Sequence, residues 1–264
     1  MNPNHDEHET LRPLGQTRTR VLTDHAVIGP DSHVPAPLAG WENTQGVVLI
    51  SPAMGASPRN PGFVQTLVHA EADSTCAGAP KNTQRFVYVL SGQIRVDNRV
   101  LSADGYAWLP PGSAMRLVVV EPGRLLVFDK PYAALPGVPT PDPVFGHADD
   151  AVAEPFMGDP HARLAALLPD NPAFDLAINR FTFDPGTPLP LVETHVNEHG
   201  LYLQHGAGVY RLGSGSTETW TPIAAGDSIW MAAYCPQWFV AMGTEPATYI
   251  YYKNVNRPVI GSAV

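Results

Sequence analysis

Apolar positions along the chain fall into short alternating or continuous runs separated by turn residues. A first series occupies residues 46–51, 63–71, 86–91, 93–96, 106–109 and 115–128, punctuated by Ser91-Gly92, Asp104-Gly105 and Pro110-Pro111-Gly112. A second occupies 176–183, 192–195, 201–204, 208–212, 228–232, 238–242 and 248–253. Runs of this length, rich in Val, Tyr, Phe and Leu and bounded by Gly and Pro, predict β-strands. Between the series, 131–143 is rich in proline and reads as a connection. Within 149–168, which has mixed helical and loop character, 162–168 is the best candidate for a short helix. The two series share a weak repeat: Phe86-Val87-Tyr88-Val89-Leu90-Ser91-Gly92 matches Gly200-Leu201-Tyr202-Leu203-Gln204-His205-Gly206. Duplicated multi-stranded segments with a Gly turn between central strands predict an all-β chain of two barrels. The boundaries implied are a flexible tail over 1–18, a first barrel over 19–140, a linker over 141–170 and a second barrel over 171–264.

Composition narrows this picture. The 264 residues are 44% hydrophobic, enough for a core, and the 28 Pro and 23 Gly suit many turns joining short strands. A net charge of −9 without any basic run speaks against nucleic acid as a partner. Cys76 and Cys235 are the only cysteines and read as free thiols of a reducing compartment. No apolar run approaches the ~20 residues of a membrane span, and the polar first residues, with His5 and His8, read as a solvated tail. The expectation is a cytoplasmic protein acting on a small molecule.

The chemistry concentrates in Glu193-Thr194-His195-Val196-Asn197-Glu198-His199. Glu193 and His195 are two apart and share a face if the segment is a strand, and His199 can swing into the same space after a bend. Three donors converging on a point is what a divalent metal needs. The neighbours Leu201, Tyr202, Leu203, Val209 and Tyr210 favour strand, which sets this segment apart from the helical HExxH zinc site. Tyr249 and Lys253, four apart, share a face of a regular strand, so the long Lys253 stem can reach back toward the metal. Trp238 and Phe239 read as packing, His205 as a solvent-facing turn residue, and Cys235 as packing or a weak metal contact.

Laid on Gly206, the segment resembles the first motif of cupin barrels, with the order of ligand types permuted to Glu193, His195 and His199. Laid on Gly226, the second cupin motif puts its ligand position at Gln237, although Ala232 and Tyr234 replace its usual Pro and Gly. A carboxylate, two imidazoles and an amide oxygen suit Mn²⁺ or Fe²⁺ with open octahedral positions, while Zn²⁺ also accepts such a set. Applied to the first half, the same spacing finds Ala79, Lys81, Arg85 and Met115, so that barrel is expected to hold no metal.

The chain as a whole resembles the bicupin (S)-ureidoglycine aminohydrolases of allantoin degradation, built of two tandem double-stranded β-helix (jelly-roll) barrels. Gly40-Trp41-Glu42-Asn43, Gly55-Ala56-Ser57, Pro110-Pro111-Gly112-Ser113, Phe174-Asp175, Gly208-Val209-Tyr210 and Gly226-Asp227 carry the likeness. Its specific parts are the Glu-x-His-x3-His order and Tyr249-x3-Lys253. The resemblance implies Mn²⁺ held by Glu193, His195, His199 and Gln237, and substrate contacts from Tyr210, Tyr249 and Lys253. It further implies release of ammonia from ureidoglycine to give ureidoglycolate, and a homo-oligomer. Glu193 is also the candidate general base. The polar insert at 213–219 and Gln204-His205 depart from the family pattern and leave fine specificity open. Two other readings remain: a different metal bicupin, such as a non-haem iron dioxygenase or an isomerase, and a non-catalytic ligand-binding bicupin.

Overall fold

Residues 17–54 and 62–254 are described in the computed structural model. Gly55-Ala56-Ser57, His5, His8 and most of the 1–18 tail lie outside them. The strands are β1 (Arg20–Val21), β2 (His25–Ile28), β3 (Ala36–Pro37), β4 (Trp41–Ile50), β5 (Val64–Cys76), β6 (Thr83–Val96), β7 (Arg99–Ser102), β8 (Gly105–Leu109), β9 (Leu117–Pro131) and β10 (Val144–His147). They continue as β11 (Ala153–Phe156), β12 (Asp159–Ala166), β13 (Ala177–Phe183), β14 (His199–His205), β15 (Ala207–Leu212), β16 (Thr219–Ala224), β17 (Ser228–Met231), β18 (Gln237–Met242) and β19 (Ala247–Lys253). Short 3-10 turns at Pro30–Ser32, Pro52–Met54 and Gly215–Thr217 are the only helical elements among the described residues. No helix there is long and apolar enough to cross a membrane.

All pairing is antiparallel. One large sheet runs β10-β8-β6-β9-β5-β4-β3, with β7 on β6, and the other runs β1-β2-β17-β14-β19-β13-β12-β11. A smaller sheet, β16-β15-β18, completes the second half. Sheet membership crosses the halves of the chain. Strand β2 pairs with β17, so an N-terminal segment extends the C-terminal sheet, while β10, drawn from the connecting region, caps β8 of the first sheet. The polar insert anchors the first of these crossings: Thr217 Oγ1 donates to Asp24 Oδ2 at 2.7 Å, and Thr219 Oγ1 lies 3.0 Å from His25 Nε2.

Two expectations are corrected. Residues 162–166, read as the start of a helix, belong to β12 and pair with β13 from Ala162↔Phe183 to Ala166↔Asn179. Ala162, Ala165 and Leu168 are buried at three-residue spacing, which imitates a helical stripe. Pairing against β13 overrides the weak preference of Ala and Leu for helix. The strand expected at 192–195 is instead an irregular segment that touches β18 through one bridge, Glu193↔Gln237. Pro188 and Pro190 just before it lack the N–H groups a continuous ladder needs.

Side-chain alternation gives the central strands two buried faces with different jobs. In β6, Val87 and Val89 point into an aliphatic core with Val68, Leu109 and Leu125, while Phe86 and Tyr88 point toward the other sheet. In β14 and β19, Tyr202, Ile250 and Tyr252 join that intersheet core, and Leu201, Leu203 and Tyr249 face the interior of the second half. The sheets meet through Phe63, stacked on Tyr252 at 4.0 Å between centroids. Gly200 makes the room, since a Cβ there would meet Phe63 Cζ at 2.3 Å. Gln65, fully buried, bridges the sheets by donating to Leu201 O at 3.2 Å and Ser228 Oγ at 2.7 Å.

The repeat is visible in the backbone. Gly92 (φ 81°) and Gly206 (φ 77°) take the left-handed conformation at matching turns, and register irregularities fall at matching places, between Val89 and Ser91 and between Leu203 and His205.

Phe63→Ala should cost about 3–5 kcal/mol, because the intersheet contact would lose a buried aromatic and gain a cavity. Chemical denaturation followed by intrinsic fluorescence measures this; a change within about 0.5 kcal/mol would show that the sheets do not depend on this contact.

Candidate metal centre

The inner face of the second half converges on a cavity of about 550 Å³, counting its open mouth. Register explains which side chains reach it. His199 opens β14 and lies opposite Lys253 of β19, Leu201 opposite Tyr251, and Leu203 opposite Tyr249. Tyr249, Tyr251 and Lys253 alternate along one strand and all line the cavity. Tyr210 comes from β15, Met231 from β17 and Gln237 from β18, while Phe156, Leu164 and Phe181 close the apolar side.

The irregular 193–198 segment delivers the remaining donors. Backbone bonds in both directions, each 2.9 Å, tie Glu193 to Gln237. Tyr234 N–H donates to His195 O at 2.7 Å, which fixes the next step of the chain. His199 Nε2 lies 3.1 Å from His195 Nε2, and the Gln237 amide nitrogen lies 3.0 Å from the same His195 nitrogen, so the amide must turn over to present its oxygen there. The two rings stand at 89° with centroids 4.8 Å apart. Two imidazoles and an amide thus aim at one point from three directions. His199 Nδ1 lies 3.2 Å from Tyr252 O, an acceptor that orients the ring with Nε2 inward.

Electrostatics favour the ligand form of these groups. Burial, reinforced by nearby His195 and Lys253, lowers the His199 pKa to about 3, so its ring is neutral at any working pH. Burial, and then the Lys253 charge, also lowers His195. The Glu193 carboxyl is pushed up by burial and drawn partly back by Lys253. Lys253 is itself lowered by burial, against Glu193 and Asp170. A neutral histidine pair beside a carboxylate that burial leaves short of solvation is the state a divalent cation relieves.

All seven residues singled out from sequence (Glu193, His195, His199, Tyr210, Gln237, Tyr249 and Lys253) line this one cavity. The Glu193 carboxylate does not form a tight cluster with the imidazoles. Among the described residues, the one set of three His, Cys or acidic ligand atoms within 4.8 Å of one another is Asp24, His25 and Cys235. That set is already knit by His25 Nδ1 to Asp24 Oδ1 at 2.9 Å and by the two threonines of the insert. Cys235 is buried there. Phe239 is packed beside Phe183 and Tyr210, and Trp238 Nε1 donates to Leu189 O at 2.8 Å, both packing roles as expected.

Sequence reasoning missed Tyr251. Its ring meets His199 edge-on at 5.4 Å between centroids, and it lines the cavity. The period-two spacing that joins Tyr249 to Lys253 passes through it and could have found it. Burial raises the Tyr210 and Tyr249 phenols far enough that they act as neutral groups.

The matching positions of the first half do other work. Arg85 forms a two-pronged pair with Asp129, at 2.7 and 2.8 Å, and Ala79 is buried in the aliphatic core that Met115 packs against.

No family model matches the chain. Curated relatives do. The (S)-ureidoglycine aminohydrolase of Arabidopsis thaliana is 38% identical over 250 residues, covering 92% of this chain and 80% of the relative. The (S)-ureidoglycine aminohydrolase of Escherichia coli K12 is 33% identical over 252 residues, covering 91% and 93%. Among solved structures, a putative glyoxylate-induced protein of Pseudomonas aeruginosa superposes with a TM-score of 0.82 at 26% identity, covering 96% of both chains. A Bacillus subtilis oxalate decarboxylase described for its Mn(II) centres superposes at 0.65 with 10% identity, covering 88% of this chain and 78% of its own, and shows the shared bicupin fold.

Protonation gives a direct check on the neutral His199. The unfolded chain takes up a proton as pH falls below the ordinary 6.5, whereas the folded ring does so only near 3. Metal-free protein should therefore lose stability as pH falls through that window, with His195 and His25, shifted the same way, adding to the slope. Thermal melts of chelator-treated protein from about pH 7 to about pH 4 should fall more steeply for wild type than for His199→Gln. Equal slopes would contradict a buried neutral His199.

Proposed function

The chain belongs to the (S)-ureidoglycine aminohydrolase family, and from that premise we propose that it hydrolyses (S)-ureidoglycine to ureidoglycolate and ammonia at this cavity. The observation that carries the reading is the meeting of His195 Nε2, His199 Nε2 and the Gln237 amide at one point, with Lys253 cross-strand from His199. Glu193, His195, His199 and Gln237 would hold the divalent ion, with Gln237 presenting its amide oxygen. Their oxygen and nitrogen donors accept Mn²⁺, Fe²⁺ or Zn²⁺, and Mn²⁺ is the ion this reading takes. When bound, the ion supplies Lewis acidity and charge neutralisation without redox chemistry.

The chain's own groups divide the remaining work. The Lys253 ammonium, partly desolvated, pairs with the substrate carboxylate and sets the reacting carbon over the donor set. Tyr210, Tyr249 and Tyr251 hold the ureido group by hydrogen bonds. With their phenol pKa values raised, none of them serves as a base. Among the described residues Glu193 is the one carboxylate lining the cavity, and burial raises its proton affinity, the direction that suits proton transfer. Glu193 takes a proton from water as the C–O bond forms and returns it to the amine, which leaves as ammonia when the C–N bond breaks. Phe156, Leu164 and Phe181 limit water on the far side.

Purified protein loaded with Mn²⁺ should release ammonia from freshly generated (S)-ureidoglycine without consuming O₂. Activity should disappear on chelation and return with Mn²⁺. Oxygen uptake, or activity indifferent to chelation, would overturn the reading. Lys253→Ala should raise KM about ten- to a hundredfold, the worth of a charged hydrogen bond of about 1.5–3 kcal/mol. An unchanged KM would remove Lys253 from the site.

A further inference from the structure

A second cavity opens on the opposite face of β14 from the candidate metal centre, where the intersheet core reaches solvent. It encloses about 1110 Å³ including its mouth. Leu67, His69, Leu90 and Arg124 line it from the first sheet, and Tyr202 and Gln204 from β14. His33 and His205 border it from the N-terminal connection and the Gly206 turn; among the described residues lining it none is a carboxylate, although Asp104 accepts a hydrogen bond from the lining Gln204 at 2.8 Å. In a chain of net charge −9, this concentration of cationic and hydrogen-bonding groups is unusual.

Register sharpens the point. His69 and Arg124 are direct cross-strand partners of β5 and β9, on the face where Leu67 and Leu126 join the intersheet core. Two basic side chains directly opposed on one face repel when both are charged. The internal repeat supplies a comparison. Ser91 pairs with Arg124 as His205 pairs with Thr248, and Arg124 pairs with His69 as Thr248 pairs with Thr182. The matching pair in the second half is thus Thr182 and Thr248, which satisfy each other through a 3.1 Å hydrogen bond. The first half replaces this closed pair with an arginine facing a histidine whose pKa burial and then the Arg124 charge lower, so that Arg124 carries the charge into the cleft.

Among the described residues Arg124 makes no ion pair with a carboxylate, and its charge reaches both His69 and Tyr202. Asp227, the carboxylate Tyr202 senses, is bound by Arg18 at 2.7 Å. Leu67, Leu90, Pro30 and Pro35 give the cleft an apolar wall beside these polar groups. An arginine fork with histidine and phenol groups over an apolar wall matches a carboxylate carried on a carbon skeleton, while the Gln204 amide is held by Asp104 at 2.8 Å. We propose that this cleft binds a small organic carboxylate at a site separate from the metal cavity, with Arg124 and His69 as its anion-binding pair. The proposal does not depend on which reaction the metal cavity performs.

Succinate serves as the probe, since it chelates metals weakly, and calorimetry on the Mn²⁺-loaded protein as the measurement. The Lys253→Ala variant separates the two cavities. Succinate should bind Lys253→Ala protein with a Kd of about 1 mM or tighter, and Arg124→Gln in that background should weaken it at least about tenfold. His69→Ala should also weaken it, and Arg124→Gln alone should leave ammonia release unchanged. Binding lost with Lys253→Ala, binding indifferent to Arg124→Gln, or no binding would each overturn the proposal. Inorganic phosphate binding as tightly as succinate would overturn the assignment to a carboxylate.

Discussion

The antiparallel pairing of β14 with β19 is the constraint on which the rest of the second half depends. It places His199 opposite Lys253 and gives each strand one face toward the first sheet and one toward the cavity. A one-residue slip of β19 would turn Tyr249, Tyr251 and Lys253 out of the cavity together and leave His199 without Lys253 opposite it. The intersheet core pins the register from behind: Tyr202 and Tyr252 are buried there, Phe63 fills the space over Gly200, and Gln65 caps Leu201 O. The packing that joins the two halves is therefore also what aims the donors.

Much of this was legible in the chain. Alternation and turn residues mark nearly every central strand, and the repeat between 86–92 and 200–206 reappears as matched bulges and matched left-handed glycines. All seven residues drawn from the Glu-x-His-x3-His run, the second motif and the terminal Tyr-x3-Lys line one cavity. What local pattern could not convey were exchanges over long separations. Nothing around His25 announces that its strand will pair with Met231, and the alanines of β12 imitate a helix until β13 is placed beside them. Glu193 and His195 reach the cavity on an irregular segment rather than a strand, because one bridge to Gln237 is all that segment forms with β18.

The two halves share a backbone and divide its uses. In the first, an aliphatic core fills the interior, and Arg85 is held by Asp129. In the second, aromatic rings and neutral histidines leave an open interior. The same divergence shows on the intersheet face, where a closed threonine pair in one half corresponds to an open histidine–arginine pair in the other.

The central claim is that one divalent ion is held by Glu193, His195, His199 and Gln237 in the second half. Anomalous diffraction at the manganese edge from Mn²⁺-loaded crystals tests it most directly. The account predicts a single strong peak per chain between the two imidazole Nε2 atoms, with the Glu193 carboxylate drawn in. A peak at Asp24, His25 and Cys235 instead, or one among Ala79, Arg85 and Met115 of the first half, would contradict it.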